Sequence, residues 1–287
     1  RFENYKQQPL EFVFDKSFIG KLSQYGLNPD RRTPSGIKAA IIREKGTNGE
    51  REMAYMLYLA GFDVKDVTMT DLISGRETLE DIHMVVYCGG FSNSDVLGSA
   101  KGWAGSFLFN PKAKAALDNF YAREDTLSLG VCNGCQLMME LGLITPEDKK
   151  KGKMLHNDSH KFESNFLGVT VPMNRSVMFG SLSGSKLGIW VAHGEGKFSL
   201  PYPEDHYNVV LKYSYDEYPG NPNGSDYSVA GIASQDGRHL AMMPHLERAC
   251  FPWENAYYPA DRVHSDQITP WMEAFVNARK WVEAHKK

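Results

Sequence analysis

The sequence lacks the features that mark several large classes of protein. Four cysteines in 287 residues are too few for a disulfide-stabilised secreted scaffold and are typical of a reducing cytoplasm. No apolar run approaches the roughly 18 residues that a membrane-spanning helix needs. A net charge of −3 predicts binding neither to nucleic acid nor to an anionic membrane. Neither common phosphate-binding glycine motif is present, so the sequence predicts no ATP site.

The first half of the chain alternates short apolar runs with helical patterns. Strands are predicted at residues 37–43, 62–69 and 82–88, and helices at residues 50–60 and 111–123. Alternation at this spacing predicts a mainly parallel sheet with helices on both faces. In such sheets functional residues gather at the carboxyl ends of the strands. The predicted fold class is therefore α/β.

The pattern changes at about residue 166, where several strands follow one another. Asp236-Gly237 lies between two apolar runs, which is a signal for a tight β-hairpin. We interpret this region as an antiparallel excursion attached to the main sheet, followed by a core helix at residues 269–285. Residues 1–35 do not match either pattern, and we interpret them as a linker or leading segment from a preceding domain. Residues 36–287 form the main predicted domain.

Residues 126–141 carry the most informative pattern, TLSLGVCNGCQLMMEL. An apolar strand there passes into a helix with almost no loop, so the chain must pivot on one strained residue between small neighbours. This is the arrangement of a nucleophile elbow, G-x-nucleophile-x-G, with Cys132 at the apex. The apex side chain is aimed at the N-terminus of the helix, where free amides and the helix dipole favour a thiolate. We predict that Cys132 is a catalytic nucleophile.

Two other interpretations of Cys132 stay open from the residues alone. Cys132 and Cys135 form a C-x-x-C, which is also found in redox pairs and as half of a zinc site. The remaining cysteines, Cys88 and Cys250, are far apart and provide no second C-x-x-C. A plain buried cysteine is the third possibility. The absence of a second pair favours the nucleophile, and no metal site is predicted.

A cysteine nucleophile needs a base and a group that orients the base. His245 stands out among the nine histidines because it follows a strand-like run and a proline, just past a strand end. Glu247 comes two residues later and in extended chain projects on the same side. We therefore predict a His245–Glu247 pair that serves Cys132. The alternative is an ordinary surface His–Glu pair.

Acyl transfer also needs backbone N–H groups that stabilise a negatively charged oxygen. Asn133, the residue after the predicted nucleophile, is one natural donor. Gly90 lies in a glycine pair after the third predicted strand, where glycine allows the backbone to approach closely and to adopt unusual angles. We predict an oxyanion hole formed by Gly90 and Asn133.

Four blocks of the sequence resemble the class I (triad) glutamine amidotransferases. They are GVCNGCQ, GGFSNSDVLGSAKGWA, AHGEGK and MMPHLER. The resemblance is closest to the glutaminase domain of the large phosphoribosylformylglycinamidine synthases of purine biosynthesis. It covers residues 36 to about 280 and implies a flavodoxin-like α/β fold. It also implies that Cys132, His245 and Glu247 form the catalytic triad.

The same resemblance implies which residues surround the substrate. Gln136 and the stretch His193-Gly194-Glu195 would lie around bound L-glutamine. Two departures flank the site: Asn93-Ser94 stands where the family has Tyr-Gly, and Leu246 where it has Pro. These changes affect fine substrate contacts rather than the triad.

The resemblance further implies a cytoplasmic enzyme that divides its work between two domains. The glutaminase domain would hold no cofactor and would hydrolyse glutamine to glutamate and ammonia. Ammonia would then cross a channel to a synthetase domain of the same polypeptide, where ATP and magnesium activate formylglycinamide ribonucleotide. The alternative is a stand-alone gamma-glutamyl hydrolase, which shares the elbow but is not expected to carry all four blocks.

Overall fold

A single nine-stranded sheet organises the part of the chain that the computed structural model describes, residues 10–286. Helices lie against this sheet, and a small two-stranded sheet stands beside it. The strands are β1 Lys38–Arg43, β2 Asp63–Thr68, β3 Met84–Tyr87, β4 Leu127–Val131, β5 Lys153–Leu155, β6 Glu163–Thr170, β7 Lys186–His193, β8 Lys197–Ser199, β9 Asn208–Tyr213, β10 Val229–Ala233 and β11 His239–Met242. The α-helices are α1 Glu50–Ala60, α2 Met69–Ser74, α3 Lys101–Leu108, α4 Pro111–Ala122, α5 Asn133–Glu140 and α6 Met272–His285.

The sheet is parallel in one half and antiparallel in the other. Its strand order is β2-β1-β3-β4-β11-β10-β9-β6-β7. Strands β2, β1, β3, β4 and β11 run parallel, whereas β10, β9, β6 and β7 pair antiparallel. This confirms the predicted α/β class with an antiparallel excursion in the second half. The predicted hairpin at Asp236-Gly237 joins β10 to β11, and Gly237 has a φ of +77°.

The inner parallel strands produced clear sequence signals because both of their faces are covered. Every residue of β3 and β4 is buried, and β3 reads as a continuous apolar run, whereas β4 includes the buried polar residue Ser128. Strand β7 at the antiparallel edge alternates instead between buried and more exposed positions in its second half. Burial on two faces therefore explains why the central strands were the easiest to predict.

Three helical features differ from the sequence prediction. Helices α2 and α3 were not predicted, although Thr68 and Asp71 form a capping box that marks the start of α2. The last helix begins at Met272 rather than near residue 269. Thr269 lies outside it because its backbone N–H donates to the Cys250 carbonyl and its hydroxyl to the Ala249 carbonyl. None of the helices within residues 10–286 is long and apolar enough to cross a lipid bilayer.

Residues 10–35 pack against the main domain. Val13 forms an isolated antiparallel bridge with Lys186 on the edge strand β7. Phe18 is buried, and the Arg262 guanidinium lies over the rings of Phe14 and Phe18. The first nine residues of the predicted leading segment lie outside the described residues.

Trp271 joins the start of α6 to the sheet and provides a test of this packing. Its indole N–H donates to the Gly188 carbonyl at 2.9 Å, and the side chain is 1% exposed. Replacing Trp271 with Phe should lower the free energy of unfolding by about 1–3 kcal/mol, because the donor and some volume are lost. The Trp271→Ala change should cost about 3–5 kcal/mol. Urea unfolding measures both.

The matched control is Trp253→Phe, because Trp253 is 77% exposed. Its effect should stay within about 0.5 kcal/mol of zero. Equal unfolding free energies for the Trp271→Phe variant and the unmodified protein would contradict this account of the packing.

Candidate active site

The chain turns from β4 into α5 at Cys132, which has the strained dihedral angles φ 53° and ψ −107°. Its backbone N–H donates to the Met242 carbonyl at 2.9 Å, so the end of β11 holds the turn in place. Small neighbours are essential on both sides. A Cβ on Gly130 would lie 2.5 Å from the Gly134 carbonyl oxygen, and one on Gly134 would lie 2.0 Å from that of Tyr87. The sharp turn predicted from the sequence is therefore present.

Cys132, His245 and Glu247 meet at this turn. A hydrogen bond of 2.7 Å joins His245 Nδ1 to Glu247 Oε1, and the Cys132 and His245 side chains both lie beside Gly89. The three residues are 6%, 2% and 1% exposed in the order Cys132, His245, Glu247, so the pair is not a surface ion pair. Gly89 leaves the space that they need, because a Cβ there would lie 2.8 Å from His245 Cε1 and 3.3 Å from Cys132 Cβ.

The local conformation behind this pair differs from the prediction. Glu247 was expected to project beside His245 from an extended chain, but Leu246–Arg248 forms a 3-10 turn. The backbone N–H of His245 donates to the Trp190 carbonyl at 2.9 Å, which anchors the residue before the turn to β7. The turn then brings the carboxylate back to the imidazole. The two side chains are hydrogen-bonded, as expected of a pair, but the backbone between them does not have the expected extended conformation.

The charges around His245 favour its protonated form. Burial alone would lower the pKa of the imidazole, but the negative charge of Glu247 and the interaction with Cys132 outweigh it and raise the pKa to about 10. At neutral pH the ring therefore carries a positive charge beside the sulfur atom. A cysteine reacts as the thiolate, and an adjacent imidazolium stabilises that negative charge.

The two residues predicted to supply oxyanion donors lie near the turn: Asn133 follows Cys132, and Gly90 follows Gly89, where a Cβ would lie 3.3 Å from Cys132 Cβ. Gly90 has a φ of +116°, and a Cβ there would lie 2.5 Å from the Gly46 carbonyl oxygen, so only glycine fits. Asn133 is the first residue of α5. Within residues 10–286, neither backbone N–H donates a hydrogen bond to another group. The Ser92 N–H donates to Asn133 Oδ1 at 2.9 Å and links the two segments.

Gln136 lies beneath the same turn and is 5% exposed. Its amide nitrogen donates to the Glu195 carbonyl at 2.8 Å, and its amide oxygen accepts from Asn133 Nδ2 at 2.9 Å. The side chain therefore holds the stretch after β7 against α5. The Ala192 carbonyl in β7 lies 3.5 Å from Cys132 Sγ, so the end of this strand also borders the sulfur.

His193 is buried and bonded to other protein groups. Burial lowers the pKa of its imidazole to about 4, so the ring is neutral near pH 7. Its Nδ1 lies 3.2 Å from Asn157 Oδ1, and the Asn157 N–H donates to the Gly194 carbonyl at 2.9 Å. Sequence reasoning missed Asn157 because a single asparagine in a polar segment gives no signal of its own.

The loop that follows Gly90 is strained at three consecutive positions, including the Asn93-Ser94 pair expected from the sequence to differ from the family. Asn93, Ser94 and Asp95 all have left-handed dihedral angles, with φ between 49° and 56°. Glycine adopts this conformation without penalty, whereas other residues pay roughly 1–2 kcal/mol each. Asp95, which sequence reasoning also missed, accepts from Asn133 Nδ2 at 3.3 Å. Burial raises the pKa of its carboxyl group.

The state of the cysteines argues against the redox interpretation of the C-x-x-C. All four are free thiols, and burial raises the pKa of Cys135 well above its usual range. Such a thiol is a poor partner for disulfide exchange. No group of three or more histidine, cysteine, aspartate or glutamate residues is placed to hold a metal ion within residues 10–286.

Comparison with known proteins identifies relatives. Residues 36–282 match the family model described as the CobB/CobQ-like glutamine amidotransferase domain. The phosphoribosylformylglycinamidine synthase of Homo sapiens is 44% identical over 280 residues, covering 87% of this chain and 21% of that protein. The corresponding synthase of Drosophila melanogaster is 41% identical over 270 residues, covering 88% of this chain and 20% of that protein. The chain thus spans about a fifth of the length of these relatives.

Solved structures share the fold. A chain in the structure of PurLQS from Thermotoga maritima superposes with a TM-score of 0.61 at 27% identity, covering 88% of this chain and 99% of that one. A glutamine amidotransferase from Thermotoga maritima superposes with a TM-score of 0.51 at 16% identity, covering 86% of this chain and 99% of that one. At that identity the second likeness shows the fold alone.

The buried His245–Glu247 pair should make stability depend on pH. The folded-state pKa of His245 is about 10, above its ordinary value of 6.5. Its contribution is therefore complete below pH 6.5 and disappears as the pH rises through 10. Glu247→Gln should cost about 3–5 kcal/mol at about pH 6, because a buried charge loses its partner. The cost should shrink steadily as the pH rises from 6.5 to about 10.

Urea unfolding at a series of pH values measures this cost, with Glu283→Gln as the matched control because the Glu283 side chain is 62% exposed. A cost for Glu247→Gln that is independent of pH, or one that grows as the medium becomes more alkaline, would show that His245 is not held protonated by this carboxylate.

Proposed function

We propose that this chain, which belongs to the CobB/CobQ-like glutamine amidotransferase family, is the glutaminase part of a phosphoribosylformylglycinamidine synthase. It hydrolyses L-glutamine to glutamate and ammonia with Cys132 as nucleophile, His245 as base and Glu247 as the residue that orients the base. The observation that carries this assignment is the buried His245–Glu247 hydrogen bond beside a cysteine on a strained turn.

The first half of the reaction forms a thioester. The Cys132 thiolate attacks the side-chain amide carbon of glutamine, and the carbonyl oxygen becomes an oxyanion. The backbone N–H groups of Gly90 and Asn133 stabilise that charge, which agrees with their having no other acceptor within the described residues. His245 then gives its proton to the departing nitrogen, the C–N bond breaks, and ammonia leaves.

The second half releases glutamate. A water molecule loses a proton to His245, and the resulting hydroxide attacks the thioester carbon. The C–S bond then breaks and the thiolate of Cys132 is restored, while glutamate leaves with the second oxygen. Glu247 keeps the imidazole in one orientation through both halves, since its carboxylate accepts from Nδ1 at 2.7 Å.

The substrate contacts belong to the same proposal. Gln136, His193, Gly194 and Glu195 form the wall that surrounds the amino-acid end of glutamine. The amide of Gln136 and the ring of His193 are already bonded to other protein groups, so these two residues act mainly by fixing the shape of the wall. Glu195 keeps 24% of its side chain exposed and can reach a bound ligand.

Ammonia would pass to a synthetase domain of the same polypeptide, where ATP and Mg²⁺ activate the formylglycinamide ribonucleotide. This assignment follows the relatives, of which the present chain spans about a fifth. Residues 1–35 would lead from that synthetase domain into this one. We assign the enzyme to the cytoplasm, and we expect neither nucleic acid nor membrane as a partner.

A stand-alone gamma-glutamyl hydrolase is the second candidate because it shares the elbow. The curated relatives named above favour the synthase instead, with identities of 44% and 41%. The two candidates differ in one measurable property, because only the synthase delivers its ammonia to a second reaction.

Mass spectrometry after treatment with diazo-oxo-norleucine, a glutamine analogue that alkylates nucleophiles, tests the nucleophile. We expect a single adduct on Cys132, absent from Cys132→Ser and retained in Cys135→Ser, because Cys135 is fully buried. An adduct that forms only when the synthetase portion is added would mean that the site is completed in the complex. No adduct in either state would refute the glutaminase assignment.

The synthase assignment is tested with Cys132→Ala in the full-length polypeptide. Glutamine-dependent formation of formylglycinamidine ribonucleotide should fall by at least about 10³-fold, because no thioester can form. Activity with ammonium chloride should stay within about twofold of the unmodified enzyme, since ammonia enters after the step that needs Cys132. Equal loss with both nitrogen sources would contradict separate glutaminase and synthetase sites.

A further inference from the structure

The position of the glycine pair Gly89-Gly90 depends on a neighbouring segment of the chain. A loop between β1 and α1 supports it from one side. The Asn48 N–H donates to the Gly89 carbonyl at 2.9 Å, and the Phe91 N–H donates to the Gly46 carbonyl at 2.8 Å. These bonds form a short ladder on either side of Gly90, so any shift of the supporting loop moves the Gly90 N–H as well.

Arg248 connects this supporting loop to the catalytic carboxylate. Its Nη2 donates to Asn48 Oδ1 at 2.9 Å, and its Nε lies 3.9 Å from Glu247 Oε1. The same Nε lies 3.5 Å from Glu52 Oε1 on α1. One guanidinium therefore spans the loop, the helix and the residue that orients His245.

The buried carboxylate of Glu247 is stabilised by nearby positive charge, because it accepts few hydrogen bonds. Its Oε2 atom is buried and accepts no hydrogen bond within residues 10–286. The N-terminus of α1 also approaches it, since a Cβ on Gly49 would lie 3.6 Å from Glu247 Oε1 and 3.1 Å from Arg248 Nη2. The positive end of that helix and the guanidinium both stabilise the buried carboxylate.

We propose that Arg248 is a positioning residue that couples the two halves of the active site. Through Asn48 it fixes the loop that supports the Gly90 oxyanion donor, and through Glu247 it fixes the orientation of His245. This inference rests on the proposed glutaminase function. Arg248 touches no reacting atom, so its removal should misplace the catalytic groups and lower kcat rather than weaken substrate binding.

The test measures glutamine hydrolysis by the full-length polypeptide. Arg248→Gln should lower kcat by about 10- to 100-fold, with KM changed by less than about threefold, because small misplacements of catalytic groups are costly. Asn48→Ala should lower kcat in the same direction. Arg248→Lys keeps the charge but cannot bridge two acceptors in a fixed fork, so its kcat should lie between those of Arg248→Gln and the unmodified enzyme.

Combining the changes separates coupling from general damage. If Arg248 acts on the loop through Asn48, the double variant should be no slower than the slower single variant. Additive losses, or a kcat for Arg248→Gln within about twofold of the unmodified enzyme, would overturn the inference. Arg76→Gln is the matched control, since Arg76 forms an exposed ion pair with Asp71.

Two further measurements keep the outcomes distinct. Urea unfolding identifies a variant that has lost its fold, in which case Arg248→Lys and Asn48→Ala decide the question. Alkylation of the unmodified protein by diazo-oxo-norleucine reports on the glutaminase assignment itself. If Cys132 is alkylated and glutamine is hydrolysed while Arg248→Gln behaves like the unmodified enzyme, only the role of Arg248 is refuted.

Discussion

The parallel pairing of β4 with β11 is the constraint on which the site depends. Val131 lies opposite Met242 in this pair, so the residues that follow the two strands leave the sheet at the same edge. Cys132 continues the ladder by one more hydrogen bond, to the Met242 carbonyl. Residues far apart in sequence are thus brought together, since Cys132 and His245 both lie beside Gly89. Without this register the elbow would have no base.

Burial gives the contact its chemical effect. In water an imidazolium is stabilised only slightly by a neighbouring carboxylate, because solvent screens the charges. Here His245 and Glu247 are almost entirely removed from solvent, so the attraction between them is strong enough to outweigh the cost of burying a charged ring. Packing also maintains the strained conformation of Cys132, because buried strands and closely packed glycines on both sides fix the course of the turn.

The sequence was sufficient for features that depend on local pattern. Continuous apolar runs located the central strands, and the glycines around Cys132 located the elbow, because backbone passes backbone there and nothing larger fits. Features that depend on long-range contacts were not predictable from one sequence. Arg248 and Asn48 are 200 positions apart, and neither carries a local signal of its partner. The conformation of Leu246–Arg248 was mistaken for the same reason, since β7 and not the local sequence anchors its start.

The two halves of the sheet have different roles in this arrangement. The parallel half provides the nucleophile and the glycine pair, each at the end of a strand covered by helices. The antiparallel half returns the chain so that β11 lies beside β4. It also brings β7 against the opposite side of the site, where the Trp190 carbonyl accepts a hydrogen bond from the His245 N–H. Strand β7 thereby supports the base and also borders the sulfur through Ala192. The excursion is therefore part of the catalytic architecture, because its strands return the chain to β11, which His245 follows, and β7 anchors that histidine.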